Sequence, residues 1–321
     1  MFIKNLKFKT LLFIFSLRKD DQKFWSFSNK KWKKNPEKKI KGEIITDLLF
    51  DKIYIFHLSY IVNYFYNTDD LSPKYYHFIG REKVLLRFFF SFFRKFTRIH
   101  RLFLSFGSDF AFGQKKFKKS KLILNSLEFN SKKELLDYQI EDIRIGDLIY
   151  DSYLRTYQEP TVDLSDKRLR RMILDALDVY FSCKEYFDTH RVKKVVISHS
   201  VYINYGILAR IALQRGIDVY NPLWEKVFHK LSIDHAIPTP RVSLYTEIFK
   251  EFSFQEKKQY RLDAKKILES RLKGNIDRGI AYMKDSPYQT VKKTTNIFLN
   301  DGRPKVVLML HCFYDAPHIY K

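Results

Sequence analysis

The chain has 321 residues, of which 45% are hydrophobic, 17% aromatic and 30% charged. That length is a prior for about two domains, and the apolar share is enough to bury a core, which excludes a disordered tail and a disulfide-stapled mini-domain. The formal charge of +23 is uneven: residues 1–41 hold 13 Lys/Arg against 3 Asp/Glu, residues 81–121 hold 12 against 2, and the rest is nearly balanced. Such basic blocks suit an anionic partner, membrane or nucleic acid, but a solvated face in a Lys-rich composition produces them too. The two cysteines, Cys183 and Cys312, lie far apart in no paired spacing. They predict neither a disulfide framework nor a zinc site and point to a reducing compartment.

Residues 1–41 read as a basic flexible arm with Trp25 and Trp32 as anchors. The apolar run Thr10–Leu17 is far short of the roughly 20 residues a bilayer span requires, and no small-residue cleavage site follows it. The expectation is a cytoplasmic protein, with peripheral docking on the inner face of the cytoplasmic membrane as an option. Residues 81–104 supply the docking candidate. Leu85, Phe89, Phe92, Phe96, Ile99 and Phe103 recur at helical spacing, while Arg87, Arg94, Arg98 and Arg101 follow the opposite phase. That is the pattern of a helix lying in an anionic membrane interface, and equally of a surface helix packing its Phe stripe on a sheet. Nucleic acid ranks lower as a partner, because no RNP-like, KH-like or zinc-finger sequence accompanies the arginines.

Elsewhere strand and helix patterns alternate. Tyr76–Gly80 and Lys121–Leu124 read as short strands. Helices are expected after Ser131 to Leu136, over Gly146–Arg155 and over Asp166–His190. Lys194–Ser198 (KVVIS) reads as a β-branched strand, Tyr202–Arg215 as a helix closed by Gly216, and Asp218–Tyr220 as the start of the next strand. A strand, helix and strand in fewer than 30 residues form a βαβ unit. The predicted fold class is therefore α/β, a Rossmann-like parallel sheet with flanking helices. Lys257–Arg271 reads as a charged bridging helix and Lys305–Leu310 (KVVLML) as a buried strand.

His199 is placed where the 194–198 strand turns into its helix. Ligands of open parallel sheets bind at strand carboxyl ends, which suits His199 to general-base work with Ser200, Tyr202 and Tyr205 supplying hydroxyls. The alternative makes it a loop residue beside a helix capped by Ser200 or Asn204. Asp147 and Asp151 share one helical face, either as an acid/base pair or as an N-terminal helix charge and an Arg155 partner. His311, Asp315 and His318 follow the last strand as a binding-loop candidate, in a spacing that matches no metal site. No metal and no cofactor is expected. GxGxxG, GK[ST], HExxH and GxSxG are all absent, as is Asp-x-Asp, which lowers the weight of NAD enzymes, P-loop NTPases and serine hydrolases.

Three segments, IGDLIYDSYLR (145–155), VVISHSVYINYGILARIALQRGIDVY (195–220) and VVLMLHCFYDAPHIY (306–320), together resemble bacterial capsule and surface-polysaccharide biosynthesis proteins. The resemblance implies a glycosyltransferase of GT-B type, two Rossmann-like domains across a cleft, taking a nucleotide sugar as donor and a glycan or lipid-linked glycan as acceptor. It implies His199, Asp147 or Asp151 as the base and Tyr153, Arg155, Tyr202, Tyr205, His311, Asp315 and His318 as substrate contacts. The implied domains are the arm 1–41, an acceptor-side domain 42–255, a helical linker 256–304, and at 305–321 the first strand and loop of an incomplete donor domain. On that account the chain is a fragment of an enzyme, the alternative being a non-catalytic membrane-associated scaffold or partner subunit.

Overall fold

The computed structural model describes residues 16–32, 34–49, 51–78, 94–222, 228–232 and 242–275. They fall into two compact units, one within 1–238 and one within 239–311.

The first unit is built on β1 (Gly42–Asp47), β2 (Leu71–His77), β3 (Asp109–Gly113), β6 (Val192–Val196), β7 (Asp218–Pro222) and β8 (Phe228–Lys230), in the order β3-β2-β1-β6-β7-β8. The first five are parallel and β8 runs antiparallel to β7. Strands β4 (Gln139–Ile140) and β5 (Ile143–Arg144) form a separate small hairpin. The Rossmann-like α/β architecture is thus present, and the βαβ unit at 194–220 is its β6–β7 half.

Both faces of the sheet are covered, which explains the continuous β-branched runs. Ile44, Tyr75 and Val196 pack beneath α1 (Lys19–Lys31), α2 (Lys52–Thr68) and α3 (Arg98–Ser105). Ile45, Val195 and Val219 pack beneath α6 (Gly146–Tyr157), α7 (Lys167–Thr189) and α8 (Ile207–Gln214). Ile44, Ile45, Val195, Val196 and Val219 are fully buried, each contributing about 1.5–3 kcal/mol relative to exposure. The helices start where the local chemistry dictates. Asp51 accepts from the Tyr54 amide at 2.8 Å, Ser131 from Glu134 at 3.2 Å to start α5 (Lys132–Leu136), and Asp166 from Arg168 at 2.7 Å. Gly216, at φ +68°, closes α8 as expected.

Several expectations are corrected. Lys121–Leu124 lies in a helix, α4 (Lys118–Ser126), not a strand: Ser120 and Leu124, four apart, are its buried positions. A short apolar run does not distinguish the two periods. The 76–80 strand starts earlier, at Leu71. Within the arm, Lys19–Lys31 is helical and packed: Phe24 meets Phe106 edge-on at 6.2 Å, and Trp32 meets Tyr60 at 4.9 Å.

Of the two readings of the basic helix, the described residues follow the one that packs apolar side chains on the sheet. They form a 3₁₀ turn at Arg94–Phe96 followed by α3, and Ile99 and Phe103 turn into the core with Tyr75 and Val196. Arg98 is 2% exposed and ion-paired with Asp21 of α1 at 2.6 Å, so it is no docking residue. Arg94 stacks on Phe110 with its guanidinium 3.6 Å from the ring centroid. Arg101 is half-buried, and Arg87 lies outside the described residues. No helix among the described residues is long and apolar enough to cross a membrane.

The second unit contains α9 (Val242–Glu251) and α10 (Phe254–Leu272). Ser253 and Glu256 form a reciprocal capping box, and α10 buries no residue, in line with its charged sequence. The 305–310 strand, with His311, Asp315 and His318, lies outside the described residues.

Candidate functional site

The chain steps from β1 to β2 to β3 on one side of the sheet and then, by way of α4–α7, to β6 and β7 on the other. The order therefore reverses between β1 and β6, at the position where open α/β sheets form their ligand crevice. β1 ends there in Asp47, and β6 runs on through Ile197 into Ser198 and His199.

Asp47 is 1% exposed and three donors converge on it. Oδ1 accepts from the Ser198 amide at 2.9 Å and from the Tyr54 hydroxyl, and Oδ2 accepts from Ser198 Oγ. Burial pushes the Asp47 carboxyl above its ordinary value, and the Ser198 and Tyr54 hydrogen bonds work against that rise. Burial and the neighbouring carboxylate push the Tyr54 hydroxyl well above 10, so it keeps its proton and donates. Ser198 Oγ lies 2.8 Å from His199 Nδ1. Because the Ser198 proton is directed to Asp47, its oxygen must accept, and the proton between serine and imidazole sits on Nδ1. The basic lone pair of that tautomer is on Nε2.

Other elements hold this arrangement in place. Asn221 of β7 donates through Nδ2 to the carbonyls of Ile197 and Ser198, both at 2.9 Å. After His199 the backbone is irregular: Tyr202 has φ +63°, which a bulky side chain rarely adopts, and Tyr202–Gly206 is a π-helical turn. Gly206 lets that turn press onto α6, since a Cβ there would stand 2.5 Å from Leu148 and 2.7 Å from the Ser200 carbonyl. The turn is also tied by Ile203 N to Ser152 Oγ at 2.9 Å and by Tyr76 OH to the Asn204 carbonyl at 3.2 Å.

Two openings adjoin the cluster. A narrow cleft of about 10 Å³, room for a single water, is lined by Tyr54, His57, Ser198, His199 and Pro222, among others. A larger cavity of about 260 Å³ lies between the end of α6, the start of α7 and the π-turn, with Arg155, Tyr202 and Tyr205 in its wall. Tyr205 connects the two, its ring 5.4 Å from that of His199. Burial and the Asp47 charge push its hydroxyl up to about 12.

The predicted residues therefore separate. His199 stands at the switch point, and Arg155, Tyr202 and Tyr205 line one cavity beside it. Asp147 is instead 4% exposed and held by a two-pronged ion pair with Arg210, both contacts at 2.6 Å. That pairing, and its absence from the lining of either opening, removes it as a base. Asp151 is 1% exposed within α6 and lines neither opening. Tyr153 is 1% exposed and donates to Asp166 at the start of α7, a structural bond and not a substrate contact.

Asp47, Tyr54 and Asn221 were not anticipated, and Ser198 was expected only as the last residue of a strand. The available signal was that IIT-Asp and VVIS-His are both β-branched runs ending in polar side chains. Among the described residues no group of three or more His, Cys, Asp or Glu gathers in a way that could hold a metal ion. No protein-family model, no curated protein and no solved structure matches this chain.

Proposed function

We propose that the chain is a glycosyltransferase domain of bacterial capsular or surface-polysaccharide assembly, with His199 as the general base. The observation that carries this reading is the directed hydrogen-bond chain Asp47–Ser198–His199 at the sheet's switch point. In the step proposed, Nε2 of His199 takes the proton of an acceptor hydroxyl as that oxygen bonds to the anomeric carbon of a nucleotide sugar. The bond from that carbon to the nucleotide's phosphate oxygen breaks, and its electron pair leaves with the phosphate. The imidazolium formed is stabilised by the buried Asp47 carboxylate through Ser198, and the backbone bonds from Asn221 hold both in register.

The three sequence segments that resemble polysaccharide-biosynthesis proteins supply the substrate class, and the Rossmann-like sheet suits it. Two buried oxygens beside the cluster, Ser200 Oγ and Asn221 Oδ1, have no hydrogen-bond partner among the described residues.

The test incubates the chain with a panel of nucleotide sugars and lipid-linked or free glycan acceptors, and reads products by mass. Transfer is expected, with His199→Ala lowering turnover by about 100-fold or more at an unchanged circular dichroism spectrum. No transfer, together with no binding of any nucleotide sugar, would remove the reading. An unchanged rate in His199→Ala would remove the base assignment.

A further inference from the structure

We infer that the cavity of about 260 Å³ between α6, α7 and the π-turn binds an acidic saccharide, one bearing a carboxylate or a phosphate. The inference rests on the glycosyl-transfer reading and deepens it, since it assigns a charge to the acceptor. Its wall carries Arg155 and Tyr157 from α6, Arg171 and Asp175 from α7, and Tyr202 and Tyr205 from the π-turn.

Each side chain has a distinct use. Arg171 is exposed and has no ion-pair or hydrogen-bond partner among the described residues. Its planar guanidinium offers the fork that matches carboxylate and phosphate oxygens, and Arg155 stands in the same wall. Arg168 lies over Tyr157 at 4.7 Å from the ring centroid but is ion-paired with Asp166 and Glu159, at 2.5 and 3.0 Å, so its charge is already compensated. Asp175 is the one carboxylate in the wall. It is 6% exposed and accepts from Gln114 Nε2 through Oδ1 at 3.0 Å. Three tyrosine rings supply the flat, amphipathic surfaces on which saccharide rings pack.

The position of the cavity fits the chemistry. Tyr205 belongs both to its wall and to the surroundings of His199, so a ligand held by the arginines is presented toward the proposed base. The strained φ of Tyr202 lies in the same wall. Backbone strain of this kind persists where surrounding structure enforces it.

The test is equilibrium binding by calorimetry on the whole chain, which requires no transfer. The probes are a hyaluronan hexasaccharide, the same oligosaccharide with its carboxyls reduced to alcohols, and glucose 6-phosphate against glucose. Each acidic probe is expected to bind at least about tenfold more tightly than its neutral counterpart. Arg171→Gln should shrink that preference to below about threefold, while Lys121→Gln, an equal loss of charge on α4, should leave it intact.

Equal affinity for acidic and neutral probes, no binding of any probe, or an equal loss in Lys121→Gln would overturn the inference, the last by showing only a response to net charge. A retained charge preference without any glycosyl transfer would sink the transferase reading and spare the site. Transfer to neutral and acidic acceptors alike would do the reverse.

Discussion

Asp47→Asn separates the hydrogen-bond chain from the fold that carries it. The substitution is nearly isosteric. Its amide oxygen can still accept from the Ser198 amide and the Tyr54 hydroxyl at the Oδ1 position, while its NH₂ replaces the acceptor Oδ2 with a donor. Ser198 must then accept from the introduced amide and turn its own proton toward His199. That displaces the Nδ1 proton and moves the imidazole to the Nε2–H tautomer.

The stability cost should be small. Three hydrogen bonds lose their charge assistance, worth about 0.5–1.5 kcal/mol each, but the cost of a carboxylate buried to 1% exposure, visible in its raised pKa, disappears with the charge. The net expected is within about 1 kcal/mol of the parent. ¹⁵N–¹H correlation of His199 through the two-bond couplings reads the tautomer directly, and urea titration reads the stability. The reasoning fails if His199 keeps its Nδ1 proton in Asp47→Asn, or if the variant loses more than about 3 kcal/mol, the scale of an unsatisfied buried cluster.

Other expectations concern the frame. Asp21→Asn should cost about 3–5 kcal/mol in urea because it leaves the Arg98 guanidinium buried without its counter-ion, and pairing Asp21→Leu with Arg98→Met should recover most of that. A double variant as unstable as the single would refute the ion-pair account. Gly206→Ala should cost about 1–3 kcal/mol and weaken ligand binding, since its Cβ meets a backbone carbonyl that cannot yield, and a melting temperature equal to the parent's would argue against the tight π-turn. His100 is 5% exposed, and its Nδ1 contacts the Tyr75 hydroxyl. Burial and the charge of Arg94 push it down to about 4 from an ordinary 6.5. Between those values the unfolded chain binds the proton and the folded one does not, so stability is full above pH 6.5 and falls as the pH drops toward 4, by up to about 3 kcal/mol. His100→Gln should flatten that part of the profile, and an unchanged slope would show that other groups carry it.

What the sequence determined by itself was set by short-range chemistry over segments long enough to show a period. KVVIS, a helix and DVY lie close enough in sequence that their hydrophobic period and the closing glycine define a βαβ unit, and with it the parallel sheet. The place of His199 at a strand's carboxyl end followed from the same segment. The helices at 131–136, 166–190 and 257–271 were equally local, because a 3.6-residue period lies within one window.

The rest depended on partners distant in sequence. Asp47 and Ser198 are 151 residues apart, and only the pairing of β1 with β6 brings them together. Asp147 and Arg210, 63 apart, neutralise each other for the same reason, which converts a candidate base into a structural ion. Arg98 carried the signature of a solvated basic face, yet the α1 helix covers it with Asp21, 77 residues earlier. A charge pattern records what a side chain can do, whereas burial and the identity of its distant partner decide what it does.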